Sequence, residues 1–319
     1  MTVAPRHVGP LLEVKGIKTH FFTQDGAVKA VDDVTFAIGH GQTLGVVGES
    51  GCGKSITSLS VMRLIERPGR IVAGEILLNG ENLLEKSDAD MRDIRGDQVS
   101  MIFQEPMTSL NPVFTCGDQI AEAVQQHTAV SRREAWDRSV EMLRVVGIPD
   151  AKRRAAEHPH QLSGGMRQRA VIAMAVALKP SLLILDEPTT ALDVVVQQEI
   201  MAQIKDLQRE LGFSVLFITH DMSLMVELSH RMAVMYGGRI VETAKAQDVY
   251  TNPRHPYTQA LMGAFPPLTG PRVPLTGLPD GVKFRNIPDL TEAAPGHFVA
   301  PLGADAPVID SADLAGAAR

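Results

Sequence analysis

The sequence has no apolar run long enough to cross a bilayer as a helix. Its longest apolar stretches cover residues 170–178 and 213–218, whereas a membrane-spanning helix needs about 20 apolar residues. Residues 1–16 also lack the basic, apolar and small-residue segments of a secretory signal. We therefore expect a cytosolic chain, which could still dock on a membrane partner.

Cysteine is scarce, and there is no excess of positive charge. Cys52 and Cys116 are the two cysteines among 319 residues; they cannot form a metal site by themselves, and both fit a reducing compartment. The net charge of -6 argues against a nucleic-acid-binding surface over much of the molecule, and we predict no nucleic-acid partner. The length allows one large domain with an appendage, or two modest domains.

Short apolar runs ended by turn residues predict the strands of a buried sheet. They cover residues 43–48, 99–103, 181–186 and 213–218, and helical patterns lie between several of them. Strand, helix, strand order is typical of a parallel α/β sheet.

Two parts of the chain depart from this pattern. Apolar side chains alternate along residues 34–38, and Asn79-Gly80 is a typical hairpin turn, so the N-terminal part adds antiparallel strands. Residues from about 117 to 178 have helical patterns throughout. The sequence therefore predicts a mixed and parallel sheet core, an antiparallel β subdomain and an all-helical insertion.

The segment GESGCGKS, residues 48–55, has the pattern G-x-x-x-x-G-K-[ST] between a predicted strand and a predicted helix. In such a loop the backbone amides wrap phosphates, Lys54 neutralises the β- and γ-phosphates during catalysis, and the Ser55 hydroxyl binds Mg²⁺. A tight glycine turn before a helix is the alternative, but motif and context agree. The predicted nucleotide-binding residues here are Gly48, Glu49, Ser50, Gly51, Cys52, Gly53, Lys54, Ser55 and Ile56.

Two adjacent carboxylates end the predicted strand at residues 182–186. Asp186 is placed to hold magnesium through water, and Glu187 to activate the attacking water as a general base. Adjacent carboxylates after a strand can also be a solvated loop start. The glycine loop elsewhere in the chain favours the catalytic interpretation.

Two further polar residues follow predicted strands. His220 follows the strand at 213–218, where it could bridge a γ-phosphate and the base, although a lone histidine is often structural. Gln104 follows the strand at 99–103, and its amide could contact Mg²⁺ or the attacking water; an ordinary polar loop residue is the alternative. Both are candidates for the same edge of the sheet.

The segment LSGGMRQR, residues 162–169, is a second candidate anion cradle. Ser163, Gly164 and Gly165 open a predicted helix, and bare amides at a helix N-terminus bind anions. One chain thus carries two cradles.

These motifs together resemble the nucleotide-binding subunit of an ATP-binding cassette (ABC) transporter. GESGCGKS, FQEP, LSGGMRQR, LLILDEP, TALD and FITHD occur in this order within residues 11–250. The resemblance implies a P-loop NTPase cassette that hydrolyses ATP with Mg²⁺ in a head-to-tail dimer. Ser163, Gly164 and Gly165 would then cradle the γ-phosphate of a nucleotide held by the partner. The resemblance also implies that Asp193 links the two sites and that Phe21, or else Phe22, stacks on adenine.

MIFQEPMTSLNPVFTCGDQIAE and NPRHPYTQALMGAFP resemble the D-type ATPase subunit of dipeptide and oligopeptide importers. The implied partners are a non-identical F-type ATPase paralogue, two transmembrane permeases and an extracytoplasmic substrate-binding protein. The implied location is peripheral, on the cytoplasmic face of the cell membrane. We expect a nucleotide-binding domain at 1–252, with its insertion at about 105–178, and a C-terminal extension at 253–319 with a disordered end.

Members of this branch often carry cysteines for an iron-sulfur cluster in that extension. This chain has no cysteine after Cys116, and because thiolates hold such clusters, we predict none here. Peptides are the expected cargo, with oligosaccharide, nickel or glutathione as alternatives. Two other classes of protein are alternatives. A soluble ATP-switched protein usually has two cassettes or a long coiled coil, whereas this sequence has one glycine loop and one LSGGMRQR segment. A small-molecule kinase would have no use for LSGGMRQR.

Overall fold

The computed structural model describes residues 9–104, 109–189, 193–264, 284 and 287–302. Its strands are β1 (Leu12–Thr23), β2 (Gly26–Ile38), β3 (Thr43–Val47), β4 (Gly69–Leu78), β5 (Glu81–Asn82), β6 (Val99–Ile102), β7 (Leu182–Asp186), β8 (Ser214–Ile218), β9 (Arg231–Tyr236), β10 (Arg239–Lys245), β11 (Thr291–Ala294) and β12 (His297–Val299). Its α-helices are α1 (Lys54–Val61), α2 (Asp88–Asp97), α3 (Cys116–His127), α4 (Arg132–Val145), α5 (Ala151–Ala155), α6 (Gly164–Val176), α7 (Val194–Leu211), α8 (Met222–Leu228), α9 (Ala246–Thr251) and α10 (Pro256–Gly263).

An eight-stranded sheet forms the centre of the fold, in the order β11-β12-β10-β9-β3-β8-β7-β6. Strands β9, β3, β8, β7 and β6 run parallel, and β10, β12 and β11 add antiparallel pairs. Every residue of β3, β7 and β8 is buried, as expected for parallel strands covered on both faces. Because parallel strands end at one edge, the residues that follow β3, β6, β7 and β8 come together there.

A second sheet is antiparallel, in the order β2-β1-β4-β5. Its β4–β5 connection is the predicted Asn79-Gly80 turn, with φ of 49° and 83° at these two residues, the backbone that a two-residue hairpin requires. Apolar side chains of β1, β2 and β4 pack with those of the main sheet in one core, which includes Ile17, Ile76 and Leu216. Both predicted sheets and the mixed α/β architecture are therefore confirmed.

Helices α3 to α6 lie between β6 and β7 in the chain and fall within the predicted insertion. Serine or threonine caps three of them. The side chains of Thr115 and Ser131 accept the backbone N–H groups of Asp118 and Glu134 at 3.2 Å, and Ser163 caps α6 in the same way. The bounds 105–178 stay a prediction, and residues 105–108 lie outside the described ranges. No helix within those ranges has both the length and the apolarity needed to span a membrane.

The C-terminal part joins the main sheet. Strand β12 pairs with β10, and the fully buried carboxylate of Glu242 on β10 accepts the backbone N–H groups of Arg254 and His255 at 2.9 and 2.8 Å. It also contacts Nε2 of His297 at 2.6 Å. The domain boundary at 252/253 stays a prediction, and one sheet contains strands from both sides of it. The expected disordered end lies outside the described residues.

Candidate active site

The loop after β3 leads directly into α1. Gly48 needs to be glycine because a Cβ there would lie 2.2 Å from the carbonyl oxygen of Met235, and Gly53 because a Cβ would lie 2.3 Å from that of Ala30. Gly53 also has φ 106° where it caps α1. Close packing on β2 and β9 thus sets the path of residues 48–55, with the N-terminus of α1 at its end.

Lys54 is buried and turns back onto this loop. Its side-chain nitrogen Nζ donates to the carbonyl oxygens of Gly48 at 2.8 Å and Glu49 at 3.0 Å, and the residue is only 6% exposed. A buried ammonium requires such partners. The positive charge therefore lies within the loop that the sequence motif predicts to bind phosphate.

Ser55 and Asp186 meet between α1 and β7. The hydroxyl Oγ of Ser55 donates to Oδ1 of Asp186 at 3.0 Å. Burial raises the pKa of Asp186, and the nearby charge of Glu187 raises it further, whereas the hydrogen bond from Ser55 lowers it. A hydroxyl and a carboxylate oxygen thus stand together beside the loop.

Glu187 turns sharply out of the end of β7. Its φ is 47°, and its backbone N–H donates to the carbonyl of Ile218 on β8 at 2.9 Å. Its carboxylate Oε2 lies 3.4 Å from Nδ1 of His220, with the Glu187 side chain 17% exposed and that of His220 61% exposed. The predicted base and histidine are therefore adjacent, and the histidine faces outward.

Ser163, Gly164 and Gly165 form the start of α6. The Ser163 hydroxyl accepts the backbone N–H of Met166 at 3.3 Å, and a Cβ on Gly165 would lie 3.1 Å from Cγ1 of Val196. Val196 is on the first turn of α7, where its N–H donates to the capping carboxylate of Asp193 at 3.0 Å. The structure thus brings this second cradle next to Asp193.

Comparison with known proteins decides the family. The model of the family described as ABC transporter matches residues 31–190, half of the chain, and the model described as oligopeptide/dipeptide transporter, C-terminal region, matches residues 241–289. The chain belongs to the ABC transporter ATP-binding family. It is therefore an ATP-binding and ATP-hydrolysing subunit of the oligopeptide/dipeptide transporter branch.

Relatives and solved structures agree with this assignment. A probable peptide ABC transporter ATP-binding protein, y4tR of Sinorhizobium fredii, is 48% identical over 91% of this chain and 94% of its own length. The dipeptide transport ATP-binding protein DppD of Escherichia coli is 45% identical over 86% and 84%. The dimeric, post-hydrolysis structure of the ATP-binding cassette MJ0796, bound to ADP and Pi, is 26% identical, with a TM-score of 0.66, and covers 74% of this chain and 98% of its own.

The two candidate aromatic residues of this ABC ATPase have different surroundings. Phe21 pairs with Gly69 across β1 and β4, and a Cβ on Gly69 would lie 2.7 Å both from its ring and from Ile65, which follows α1. Phe22 is 40% exposed, with the guanidinium of Arg70 4.4 Å from its ring centre. The ring of Phe21 therefore lies near Ile65, just beyond the end of α1. This position favours Phe21 over Phe22 as the adenine-stacking residue, and the stacking itself stays a prediction.

Gln104 is exposed immediately beyond β6. Because Ile102 pairs in parallel with Leu185, Gln104 and Asp186 leave neighbouring strands at the same edge. The loop that continues from Gln104 lies outside the described residues at 105–108.

Sequence reasoning missed Gln168, on the second turn of α6. Gln168 is fully buried, and its Nε2 donates to the carbonyl of Pro188 at 2.5 Å, directly after Glu187. Its Oε1 is buried and has no hydrogen-bond partner among the residues that the structure describes. The residue stands in the polar run MRQR, and nothing in that run distinguishes a buried glutamine from a solvated one.

Proposed function

We propose that the chain binds MgATP in a head-to-tail dimer with a non-identical paralogue and powers the import of peptides through two membrane permeases. The main support is the arrangement at one sheet edge: Ser55 bonds Asp186 at 3.0 Å, and Glu187 lies 3.4 Å from His220. These groups come from two strand ends, those of β7 and β8, and from α1. Together they supply metal oxygens, a base and a histidine for hydrolysis.

The residues at this edge fit magnesium. Mg²⁺ prefers oxygen ligands and keeps several waters, and Ser55, Asp186 through water, and Gln104 are the proposed donors. In the described residues no three His, Cys, Asp or Glu side chains cluster as a metal site, so the proposed site relies on hydroxyl and amide oxygens besides one carboxylate. When bound, the ion would neutralise charge on the β- and γ-phosphates.

The remaining roles belong to the chain itself. Residues Gly48 to Ile56 wrap the phosphates, Lys54 supplies positive charge at the transferred phosphoryl group, and Phe21 stacks on adenine. Glu187 accepts the proton of the attacking water, and His220 contacts both the γ-phosphate and Glu187. Iron-sulfur chemistry has no role in this proposal.

Ser163, Gly164 and Gly165 act on the partner's nucleotide. They begin a thirteen-residue helix, whose N-terminal amides and dipole suit a γ-phosphate, while the chain's own phosphate loop precedes α1. Asp193, beside this cradle, is proposed to connect the two sites. The dimeric state of the similar cassette MJ0796 supports such an assembly.

Coupling to the permeases is proposed to run through the loop after Gln104 and the helical insertion. Val113 and Phe114, which follow that loop, are 70% and 52% exposed. A groove lined by Phe114 and Trp136 also has charged side chains in its lining. Exposed apolar side chains of this size suit a membrane-protein partner, which would hold the chain peripherally on the cytoplasmic face of the membrane.

Peptides are the proposed cargo because y4tR and DppD are named as peptide and dipeptide transport proteins. Oligosaccharide, nickel and glutathione are the alternatives to be tested. The cargo would be selected by the extracytoplasmic binding protein and the permeases.

The peptide assignment is tested by uptake of a labelled dipeptide. Uptake should stop in cells whose only copy of this chain carries Lys54→Ala, because ATP hydrolysis by this chain powers it. Unchanged uptake would contradict the peptide assignment.

The catalytic proposal is tested by Glu187→Gln in the complex with its paralogue and permeases. We expect ATP to bind, turnover to fall by about 100-fold or more, and a closed assembly with trapped ATP to accumulate. Glu199→Gln is the matched control, because that carboxylate lies on α7 and pairs with Arg169 at 3.3 Å. Normal turnover in Glu187→Gln would remove Glu187 as the base.

A further inference from the structure

A tyrosine of the C-terminal part contacts the phosphate loop. Tyr257 lies in the first turn of α10, is 1% exposed, and its hydroxyl accepts the backbone N–H of Glu49 at 2.9 Å. The two residues are 208 positions apart in the chain. Burial raises the pKa of Tyr257, so the group remains a neutral phenol under ordinary conditions.

The amide that Tyr257 binds belongs to the same peptide unit as an acceptor of Lys54. The N–H of Glu49 and the carbonyl of Gly48 are the two ends of one planar group, and that carbonyl accepts Nζ of Lys54 at 2.8 Å. In a trans peptide these two ends point in opposite directions. This peptide group therefore links the phenol of Tyr257 to the ammonium of Lys54. Each of the two hydrogen bonds polarises the peptide group and so strengthens the other bond.

Tyr257 is itself firmly held. Its ring centre lies 4.6 Å from that of Tyr236, and the start of α10 is tied to β10 because Glu242 accepts the N–H of His255 at 2.8 Å. The Tyr236 hydroxyl accepts the N–H of Phe284 at 3.3 Å and makes no such bond to the loop. The two tyrosines belong to one aromatic cluster, but their hydroxyls accept hydrogen bonds from different backbone N–H groups.

We propose that Tyr257 is a positioning residue for ATP binding: it fixes the orientation of the peptide between Gly48 and Glu49 and thereby the place of Lys54. The docked C-terminal part is then a component of the nucleotide site. This inference rests on the proposed role of Lys54 at the phosphates. A loop held in one conformation loses less entropy when it closes on a ligand, so ATP affinity depends on this hydroxyl.

The test is Tyr257→Phe in the full chain, which removes one oxygen and keeps the ring. Because the loop would lose the hydrogen bond that orders it before ATP binds, we expect the Kd for ATP to rise by about three- to tenfold. Hydrogen exchange of the Glu49 amide, followed by mass spectrometry of the peptide that contains it, should accelerate. Tyr236→Phe is the matched control and should leave both measurements as in the unmodified chain.

The outcomes separate the two proposals. An unchanged or lower Kd in Tyr257→Phe, with ATP still bound by the unmodified chain, would overturn the role of Tyr257 alone. Equal changes in Kd for both phenylalanine variants would also overturn it, because the effect would then belong to the aromatic cluster. An unmodified chain that binds no ATP, or binds it equally well with Lys54→Ala, would instead contradict the assignment of the phosphate loop.

Discussion

Gln168 on α6 donates to the carbonyl of Pro188 at 2.5 Å. This bond joins the helix that Ser163 caps to the residue that follows Glu187. Within one chain, this hydrogen bond connects the helix that carries the cradle proposed for the partner's nucleotide to the residue next to Glu187, the proposed base for the chain's own nucleotide. Because this hydrogen bond is buried, a shift of α6 would displace the residues that follow β7. If the proposed dimer forms, this bond would couple the two nucleotide sites.

Replacing Gln168 with methionine should lower the rate of ATP hydrolysis and leave the stability of the fold nearly unchanged. Methionine is close in size to glutamine. It removes the bond to Pro188 and also the buried Oε1, which has no partner among the described residues, and these two effects on stability offset each other. We expect kcat to fall by about tenfold with little change in KM for ATP, because a displaced base lowers reactivity rather than binding. Steady-state kinetics of the transporter complex provide the measurement.

Gln203→Met is the control for that substitution. Gln203, on α7, accepts Nη1 of Arg169 at 2.8 Å and makes its contact away from Pro188. If Gln168→Met lowered the melting temperature and left kcat unchanged, the contact would be structural only.

Ser163→Arg should abolish hydrolysis at the site shared with the partner and leave ATP binding to the chain's own loop intact. The long cationic side chain would block the α6 cradle, and losing the cap costs about 1 kcal/mol of stability. ATP binding by the isolated chain and hydrolysis by the assembled complex are the two measurements. Lost binding in the isolated chain would contradict the arrangement across two subunits.

Ser131→Arg separates capping from catalysis in that experiment. Ser131 caps α4 as Ser163 caps α6, accepting the N–H of Glu134 at 3.2 Å. It should lower stability by a similar amount and leave hydrolysis unaffected.

The docking of the C-terminal part should weaken in acid because of His255. Burial lowers the pKa of this histidine from 6.5 to about 4, although Glu242 opposes the shift. Between these values the unfolded chain binds a proton that the folded chain does not, so stability is complete above about pH 6.5 and falls as the pH drops toward 4. The loss is on the order of 3 kcal/mol over that window. Urea unfolding at pH 7 and pH 4.5 measures it.

His255→Asn should reduce that pH dependence. Nδ1 of His255 accepts the N–H of Tyr257 at 3.1 Å, and asparagine is a good replacement at a helix cap that does not titrate. Glu242 and His297 face the same position in both proteins, so the two proteins differ only at residue 255. An equal loss of stability with and without the histidine would show that His255 is not the source of the acid sensitivity.

Local patterns predicted the local structure well. The predicted runs at β3, β7 and β8 are buried throughout, and the predicted Asn79-Gly80 turn has positive φ at both residues. These features depend on neighbours in sequence, which a pattern can capture.

Features that depend on distant residues were not predictable in this way. The bond between Tyr257 and Glu49 and the burial of Gln168 come from packing between elements far apart in sequence. Helix α2 was also missed, although Ser87 and Asp90 form a capping box at its start, a signal that was present in the sequence. The ATP-binding motifs were recognisable because their chemistry fixes residue types at short spacing.

The pairing of β12 with β10 has a consequence for any shortened form of this protein. Strand β10 has seven residues and β11, at the edge of the complete sheet, has four. Removing the chain after residue 252 would uncover the part of β10 that pairs with β12, at Glu242 and Thr243, and leave the buried Glu242 without the three contacts described above. An exposed edge of this kind templates pairing between molecules, so a truncated cassette should self-associate through β10.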